Sequence, residues 1–484
     1  MYRTHFHRAE VMWSGLEGNA KILEGTPLII DEDLKFEDSG TGRDTWVINS
    51  WLIARSHDPN ISPRTLDVYL DALLPWLCFL VTIEVDLLGN RTALKAALGL
   101  YAEHRLSGHH RKRWANSTWN LHVTAISEFY KWARDEHLTD ATPFSYSEIR
   151  VLRNELPIVV LRNNAKLPSP KGHSRIKYLG ADYQTVLLNT LEGLTPDGSK
   201  PFPTKGRNLT RNAVLARLMI AAGLRRQELA FITSYELPRL PKENTEMPVD
   251  FFLPGSITKG GKARTTWVDF DTLTQVHEYL RWDRDIAARK SAWAPKPSTG
   301  SALHVESPDA MGARIEGELR SWSDVTLNER ARLVAPEGGS CLLGLCSTGA
   351  PFRAFETILR RVSARITREM DERFPHVHPH MLRHTFAMNT LELLVRGFYD
   401  AVARTSSQTN QNPAVALYMT QQDPIMVLRD LLGHSTVTTT QLYLDRLDTR
   451  RIYADAWDSA ELRAHTPSQS ILDEVEREFS EGDR

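Results

Sequence analysis

Between residues 152 and 174 the chain changes character, and this stretch limits its fold more than any other feature. It carries Pro157, Pro168 and Pro170 among Asn and Lys residues. Proline supplies no amide donor and fixes its own φ, so a helix does not run through such a segment, which reads as an extended linker. On both sides the pattern is helical. Before it, Trp119, Val123, Ile126, Tyr130 and Ala133 recur at steps of 4, 3, 4 and 3, one face of a 3.6-residue repeat. Earlier still, Ser62-Pro63 opens a helix as hydroxyl cap and first-turn proline, and an apolar run continues through Leu80. After the linker, apolar Val214, Leu215, Leu218, Met219 and Ala222 end at Gly223, where a left-handed glycine would stop a helix. A chain of 484 residues exceeds what one core holds, so two helical units with extensions are expected.

The remaining segments are less regular. Residues 249–254 and 265–270 are strand-like and flank the turn Lys259-Gly260-Gly261-Lys262, which predicts a hairpin. Residues 286–350 are rich in Pro, Gly and Ser and give no assignable pattern, whereas from 351 to about 464 the chain reads as helical again. Residues 1–40 show little periodicity. The expected organisation is an N-terminal extension (1–40), a helical unit (41–150), the linker (151–178), a second unit (179–464) with an insertion at about 286–350, and a tail (465–484).

Composition narrows the function less than the motifs do. Residues 473–484 hold six acids against two arginines, so the net charge of −1 hides a body that is net positive. Local basic clusters, HHRKR at 109–113 and the lysines at 171 and 177, permit phosphate binding without arguing for it. No run approaches 18 apolar residues, and the first residues lack an apolar signal core, so neither a membrane span nor a secretory leader is expected. Cys78, Cys341 and Cys346 cannot build a disulfide framework, and a reduced, cytoplasmic setting fits them; Cys341 and Cys346 read as buried structural thiols.

Four pieces of the second half carry chemistry. They are AGLRRQEL (222–229), the Lys259 turn, HPHMLRHTFA (378–387), and LLGHS (431–435) followed nine residues after His434 by Tyr443. Each alone is weak. An arginine after a helix-ending glycine is usually a surface group, and a turn lysine is ordinarily solvated. His380 and His384 have the i,i+4 spacing of a zinc pair but lack the intervening glutamate of a zinc-protease helix.

In this order the four pieces resemble the catalytic domain of the tyrosine recombinase (phage integrase) family. The family box T-G-L-R-x-x-E-L is met at 222–229, H-x-L-R-H-T-F-A at 380–387, and L-G-H-S…T-T-x-x-Y at 432–443, with Thr439 and Thr440 in place. The resemblance covers residues 176–460 by motif and, more loosely, 46–145, where STWNLHVTAISEFYKWA looks like the family's core-binding helix. It implies a mainly α fold with a small antiparallel sheet: a two-lobed DNA-breaking-rejoining architecture, with a helical, SAM-like core-binding domain at 41–150 and the catalytic domain at 179–464.

The resemblance also implies roles. Arg225 and Arg383 would grip the non-bridging oxygens of a scissile phosphodiester, where paired guanidinium donors suit the anion better than lysine does. Tyr443 would be the nucleophile, activated because a phenol of pKa about 10 is otherwise unreactive. His380 would accept its proton, His434 would add a second donor to the phosphate, and Lys259, with Lys262 as rival, would protonate the leaving 5′ oxygen. Arg111, Lys112, Arg113, Arg226, Lys262 and Arg264 are candidate DNA contacts, while Glu228 reads as an anchor for an arginine and His384 as structural. No cofactor or metal is implied, because the phosphodiester energy is kept in a 3′-phosphotyrosine. The implied partners are a specific double-stranded DNA site, a homotetramer on synapsed DNA and accessory recombination proteins, without a membrane, in a nucleoid-associated cytoplasmic setting.

This chain is longer than a minimal family member at 286–350 and at 406–423, and its first 40 residues are short for an arm-binding domain. The short N-terminal stretch favours a transposon- or genomic-island-type enzyme over a phage type. Two other readings stand against this one: a catalytically silent DNA-binding protein of the same fold, and a metal-dependent hydrolase using the histidine cluster.

Overall fold

A computed structural model describes residues 2–5, 12–15, 18–23, 25–30, 44–58, 61, 63–107, 109, 113–153, 156–168, 176–199, 208–245, 247–289, 291–296, 300–409, 423–444 and 447. The chain divides into two compact units, Met1–Lys171 and Gly172–Arg484.

The first unit starts with short strands where no periodicity was evident: β1 (Tyr2–His5), β2 (Met12–Gly15), β3 (Gly18–Lys21) and β4 (Pro27–Ile30). They pair antiparallel as β1–β4 and β2–β3. Four-residue strands are too short for an alternating pattern to stand out. Four helices follow: α1 (Asp44–Ser56), α2 (Pro63–Thr82), α3 (Arg91–Leu106) and α4 (Asn116–Asp135). The Asn49 amide of α1 brackets Ile29 of β4, donating to its carbonyl and accepting from its N–H, both at 2.8 Å. The helices enclose an aromatic core of Trp51, Trp76, Tyr101, Trp119, Phe129 and Tyr130. The face of α4 expected from the sequence is buried throughout. Residues 64–82 of α2 are long and apolar enough to cross a membrane by length and composition, at mean hydropathy 1.4. Asp67 and Asp71 interrupt that run, and Leu66, Leu70, Leu73, Trp76, Leu77 and Leu80 are buried in this unit's core.

The first part of the stretch read as an extended linker, up to residue 163, instead belongs to a hairpin of β5 (Tyr146–Arg153) and β6 (Leu156–Asn163), paired antiparallel along its whole length. A two-stranded ribbon consists only of edges, so Pro157 sits in it without breaking a ladder on both sides. The residues after it are tied to α4: Trp119 Nε1 donates to the Ala165 carbonyl at 2.8 Å, and Asn120 both donates to and accepts from Leu167.

The second unit contains α5 (Ala181–Glu192), α6 (Leu209–Ala222) and the short α7 (Arg226–Phe231). The expected hairpin follows as β7 (Val249–Leu253) and β8 (Arg264–Val268), antiparallel. Next come α8 (Phe270–Tyr279) and α9 (Asp285–Arg289). The unassigned stretch forms a four-stranded sheet of β9 (Leu303–Glu306), β10 (Gly312–Ile315), β11 (Glu318–Ser321) and, after the one-turn helix α10 (Leu327–Arg330), β12 (Leu333–Val334). Its order is β11-β10-β9-β12, with only the β9–β12 pair parallel. Its small core includes Val305, Ile315, Trp322, Val325, Leu333 and the free thiol Cys341. The last helices are α11 (Phe355–Glu369), α12 (Pro379–Thr409), α13 (Pro424–Leu432) and α14 (Val437–Gln441). The architecture is mainly α with small, chiefly antiparallel sheets, as expected.

Candidate active site

Two glycines fix the floor of the site. Gly223 ends α6 at φ +62, and a Cβ there would lie 2.3 Å from the Phe386 ring. Only glycine combines that left-handed turn with so close an approach. The first and second motif boxes are therefore pressed together. Gly433 ends α13 at φ +62 in the same way, with a Cβ position 2.7 Å from Arg264 Cδ.

Around this floor three guanidiniums converge. Glu228, 0% exposed, holds two of them. Its carboxylate accepts from Arg225 (N–H at 2.7 Å, Nη1 at 3.0 Å) and from both Nη atoms of Arg264 at 2.5 and 2.6 Å. The end of α13 supplies further acceptors: the Leu431 carbonyl takes Arg264 Nε at 3.1 Å, and the Leu432 carbonyl takes Arg225 Nη2 at 3.3 Å and Arg383 Nη2. Arg383, 2% exposed, also donates Nη1 to the Gly223 carbonyl. Helix C-terminal carbonyls carry partial negative charge and suit cations. One carboxylate and these carbonyls still leave three guanidiniums in net excess of positive charge, a preformed anion site. Burial, with Arg225 and Arg264 beside it, pushes the Arg383 pKa down to about 9. Burial alone would raise the Glu228 carboxyl, but Arg264, Arg225 and Arg383 outweigh it and hold the group below the usual carboxylate range.

Tyr443 lies against this charge. Its residue is 3% exposed and packs with Phe386, Leu391, Leu428, Leu431 and Leu432. Its phenol hydroxyl is 2.7 Å from His384 Nδ1, and the His384 ring in turn sits 4.2 Å from that of His380. Burial raises the phenol pKa to about 12, opposed by Arg383 and Arg225. His384 is pushed down to about 3 by burial, then by His380 and Arg383. Such an imidazole is neutral at pH 7, and in its Nε2–H tautomer Nδ1 accepts the phenol's hydrogen. His434, pushed down to about 4 by burial and then by Arg383 and Arg225, places Nδ1 3.0 Å from Thr440 Oγ1. His380 is exposed at the rim, and desolvation of its ring, then Arg383, His378 and Arg225, lower its pKa too. His378 caps α12, its Nδ1 accepting from the Met381 N–H at 3.2 Å.

Arg225, Arg383, His380, His434 and Tyr443 are thus gathered in one network of bonds, ring contacts and charge. One expectation needs correction, and for another the resting geometry differs from the expected contact. Arg264, read as a DNA contact, has a side chain only 6% exposed and committed to Glu228 and Leu431. Its bidentate geometry, which an arginine alone achieves, makes it an internal brace. His380, read as the acceptor of the phenol proton, is not the imidazole on the phenol; His384 is. The sequence placed both histidines on one helix face, and only the position of Tyr443 distinguishes them. Lys259 and Lys262 are exposed on turn 258–262, which Thr258 Oγ1 closes onto the Lys262 carbonyl at 2.7 Å, and the bonds above include neither. Arg226 is exposed and paired with exposed Glu356 at 2.8 Å. Arg113 is exposed, while Arg111 and Lys112 lie outside the described residues. Among the described residues no group of three or more His, Cys, Asp or Glu is placed to hold a metal ion.

No protein-family model matches the sequence. Over 154 residues, 32% of this chain, it is 29% identical to tyrosine recombinase XerC of Azotobacter vinelandii and 34% identical to that of Chromohalobacter salexigens. The same length matches XerC of Pseudomonas aeruginosa at 28%. The match spans 38% of the length of the first of these relatives. Among solved structures, XerH site-specific recombinase bound to difH substrate aligns over 82% of this chain and 81% of its own at 14% identity and TM-score 0.43. The Tn1549 transposon integrase in complex with transposon right end DNA aligns over 82% of this chain and 94% of its own at 14% identity and TM-score 0.41. In its ordered motifs and over those 154 residues, the chain is similar to tyrosine recombinases.

Proposed function

We propose that the chain cuts and rejoins DNA at a specific site through a 3′-phosphotyrosine at Tyr443, recombining or integrating DNA for a mobile element. The observation that carries this reading is the buried phenol set beside two arginines, Arg225 and Arg383, whose positive charge Glu228 only partly offsets. A phosphodiester entering that excess of charge meets donors already in place, and such preorganisation stabilises the added charge of an in-line displacement. His434 adds a donor to the phosphate. His384 orients the phenol through its hydrogen bond, and His380 beside it is the acceptor of the phenol proton. Tyr443 Oη bonds to phosphorus, the bond from phosphorus to the 5′ oxygen breaks, and Lys259 protonates that oxygen. Religation by another strand's 5′ hydroxyl reverses the step without metal or nucleotide.

Exposed Arg113 of the first unit, and Arg226 and Lys262 of the second, would touch the DNA backbone. Four copies would act on two synapsed sites. The silent-binder reading is weaker because no member of the set is replaced.

The test is incubation with a nicked duplex selected from a random DNA pool by binding to this chain, followed by a denaturing gel. Wild type is expected to give a slow-migrating adduct in chelator, and Tyr443→Phe none. An adduct from both proteins, or from neither, would overturn the mechanism; loss of wild-type activity on chelation would favour the hydrolase.

A further inference from the structure

We propose that the β9–β12 sheet, the stretch in which this chain exceeds a minimal family member, is a strut that sets the position of the Lys259 turn, with Arg330 as its positioning residue. The inference rests on the reading of Lys259 as the proton donor to the leaving oxygen.

Arg330 is 0% exposed and faces Glu236, itself almost fully buried, at 2.7 Å. Its three nitrogens reach four parts of the unit. Nε donates to the Val325 carbonyl at 3.1 Å, within the extra segment. Nη1 donates to the carbonyl of Phe231, the last residue of the helix α7 that Arg225 caps, at 3.0 Å, and to Glu236 Oε2 at 2.7 Å. Nη2 donates to Glu236 Oε1 at 2.8 Å, the Trp322 carbonyl at 2.6 Å and Ser256 Oγ at 3.4 Å. Ser256 Oγ in turn donates to the Trp322 carbonyl at 3.0 Å. It lies in the 3₁₀ turn Gly255–Ile257, three residues before Lys259.

An insertion that only had to close its own core would meet its host with apolar side chains. Burying an ion pair instead costs desolvation, and the pair is held only by complete, well-directed bonding. Replacing it by apolar groups is often no loss to stability, so its use here points to position. The hairpin is also held from α7, on its incoming and its outgoing side. Gln227 Nε2 donates to the Ile257 carbonyl at 3.1 Å, and Arg264, which starts β8, grips Glu228. Between those holds, Gly260 and Gly261 at φ +83 and +69 form the tip. The strut thus fixes the incoming strand relative to Arg225, and with it the reach of Lys259. A general acid off its line loses much of its effect because proton transfer needs hydrogen-bond distance.

The test uses the selected nicked duplex with two leaving groups, the natural 5′ oxygen or a bridging 5′ sulfur, in single-turnover cleavage by the full chain. Sulfur departs as a thiolate and needs no proton. Lys259→Ala is the reference for loss of the acid. Ser256→Ala and Arg330→Lys are expected to slow cleavage of the oxygen substrate about 10- to 100-fold, part of the 10²- to 10⁴-fold that a positioned acid contributes. Both are expected to fall within about twofold of wild type on sulfur, since a thiol of pKa about 8.5 leaves unaided. Equal slowing on both substrates, or none on either, would overturn the strut. If Arg330→Lys does not fold by thermal melting, Ser256→Ala decides alone. Failure of sulfur to rescue Lys259→Ala would remove Lys259 as the acid, and a wild-type chain without adduct would count against the proposed function itself.

Discussion

Replacing Glu228 by Gln would keep its shape and remove the one carboxylate among Arg225, Arg264 and Arg383. Breaking a buried, hydrogen-bonded charge network typically costs about 3–5 kcal/mol. Glu228→Gln is therefore expected to lower unfolding stability by that order in urea titration, and added sulfate should restore more stability to it than to wild type. Loss of less than about 1 kcal/mol, the scale of an exposed pair, would mean that the arginines do not depend on this carboxylate. The histidines give a second prediction. His384 and His434 have folded-state pKa values of about 3 and 4, below their unfolded value. The unfolded chain therefore binds protons that the folded chain refuses as pH falls below about 6.5, and stability declines from there toward pH 4. His384→Asn should flatten that decline in melting curves taken between pH 7 and pH 4; an unchanged slope would mean that His384 is not the buried neutral group. Arg225, Arg383, His434 and Tyr443 were legible in the sequence because their boxes occur in order. The brace of Arg264 was not, since a turn-flanking arginine looks the same whether it points to solvent or to a carboxylate distant in sequence.

At the scale of elements, the helices were the readable part. The α4 face and the Gly223 stop of α6 follow from periodicity and from one glycine, and both are found as expected. Gly223→Ala would place a methyl into the Phe386 ring in a backbone region costly for L residues. It is expected to destabilise the chain by more than about 1 kcal/mol and to slow cleavage, because it pushes the first motif box away from the second. A variant as stable and as active as wild type would show that the boxes do not need this contact. The hairpin at β5–β6 was hidden by Pro157, a strand breaker in a wide sheet but tolerable in a ribbon. The β9–β12 sheet was hidden because its strands are four residues or fewer, and tertiary contacts such as Arg330 to Glu236 organise it.

For the whole molecule, a net charge of −1 did not predict an anion site. The charge that matters is local: three guanidiniums at the meeting point of α7, β8, α12 and α13, with one carboxylate between them. Phosphate contacts made by such a patch release counterions, so DNA affinity should fall steeply with salt despite the neutral balance of the chain. A flat salt profile would point to a partner other than DNA. The central claim is that these dispersed side chains close around a single phosphate. Vanadate mimics the five-coordinate phosphorus of the transfer, so a crystal structure of the chain with cleaved DNA ends and vanadate tests it most directly. The account predicts vanadium bonded to Tyr443 Oη and to both DNA ends, with Arg225, Arg383 and His434 on its equatorial oxygens. Vanadate bound elsewhere, or a phenol still on His384 with the DNA ends in place, would contradict it.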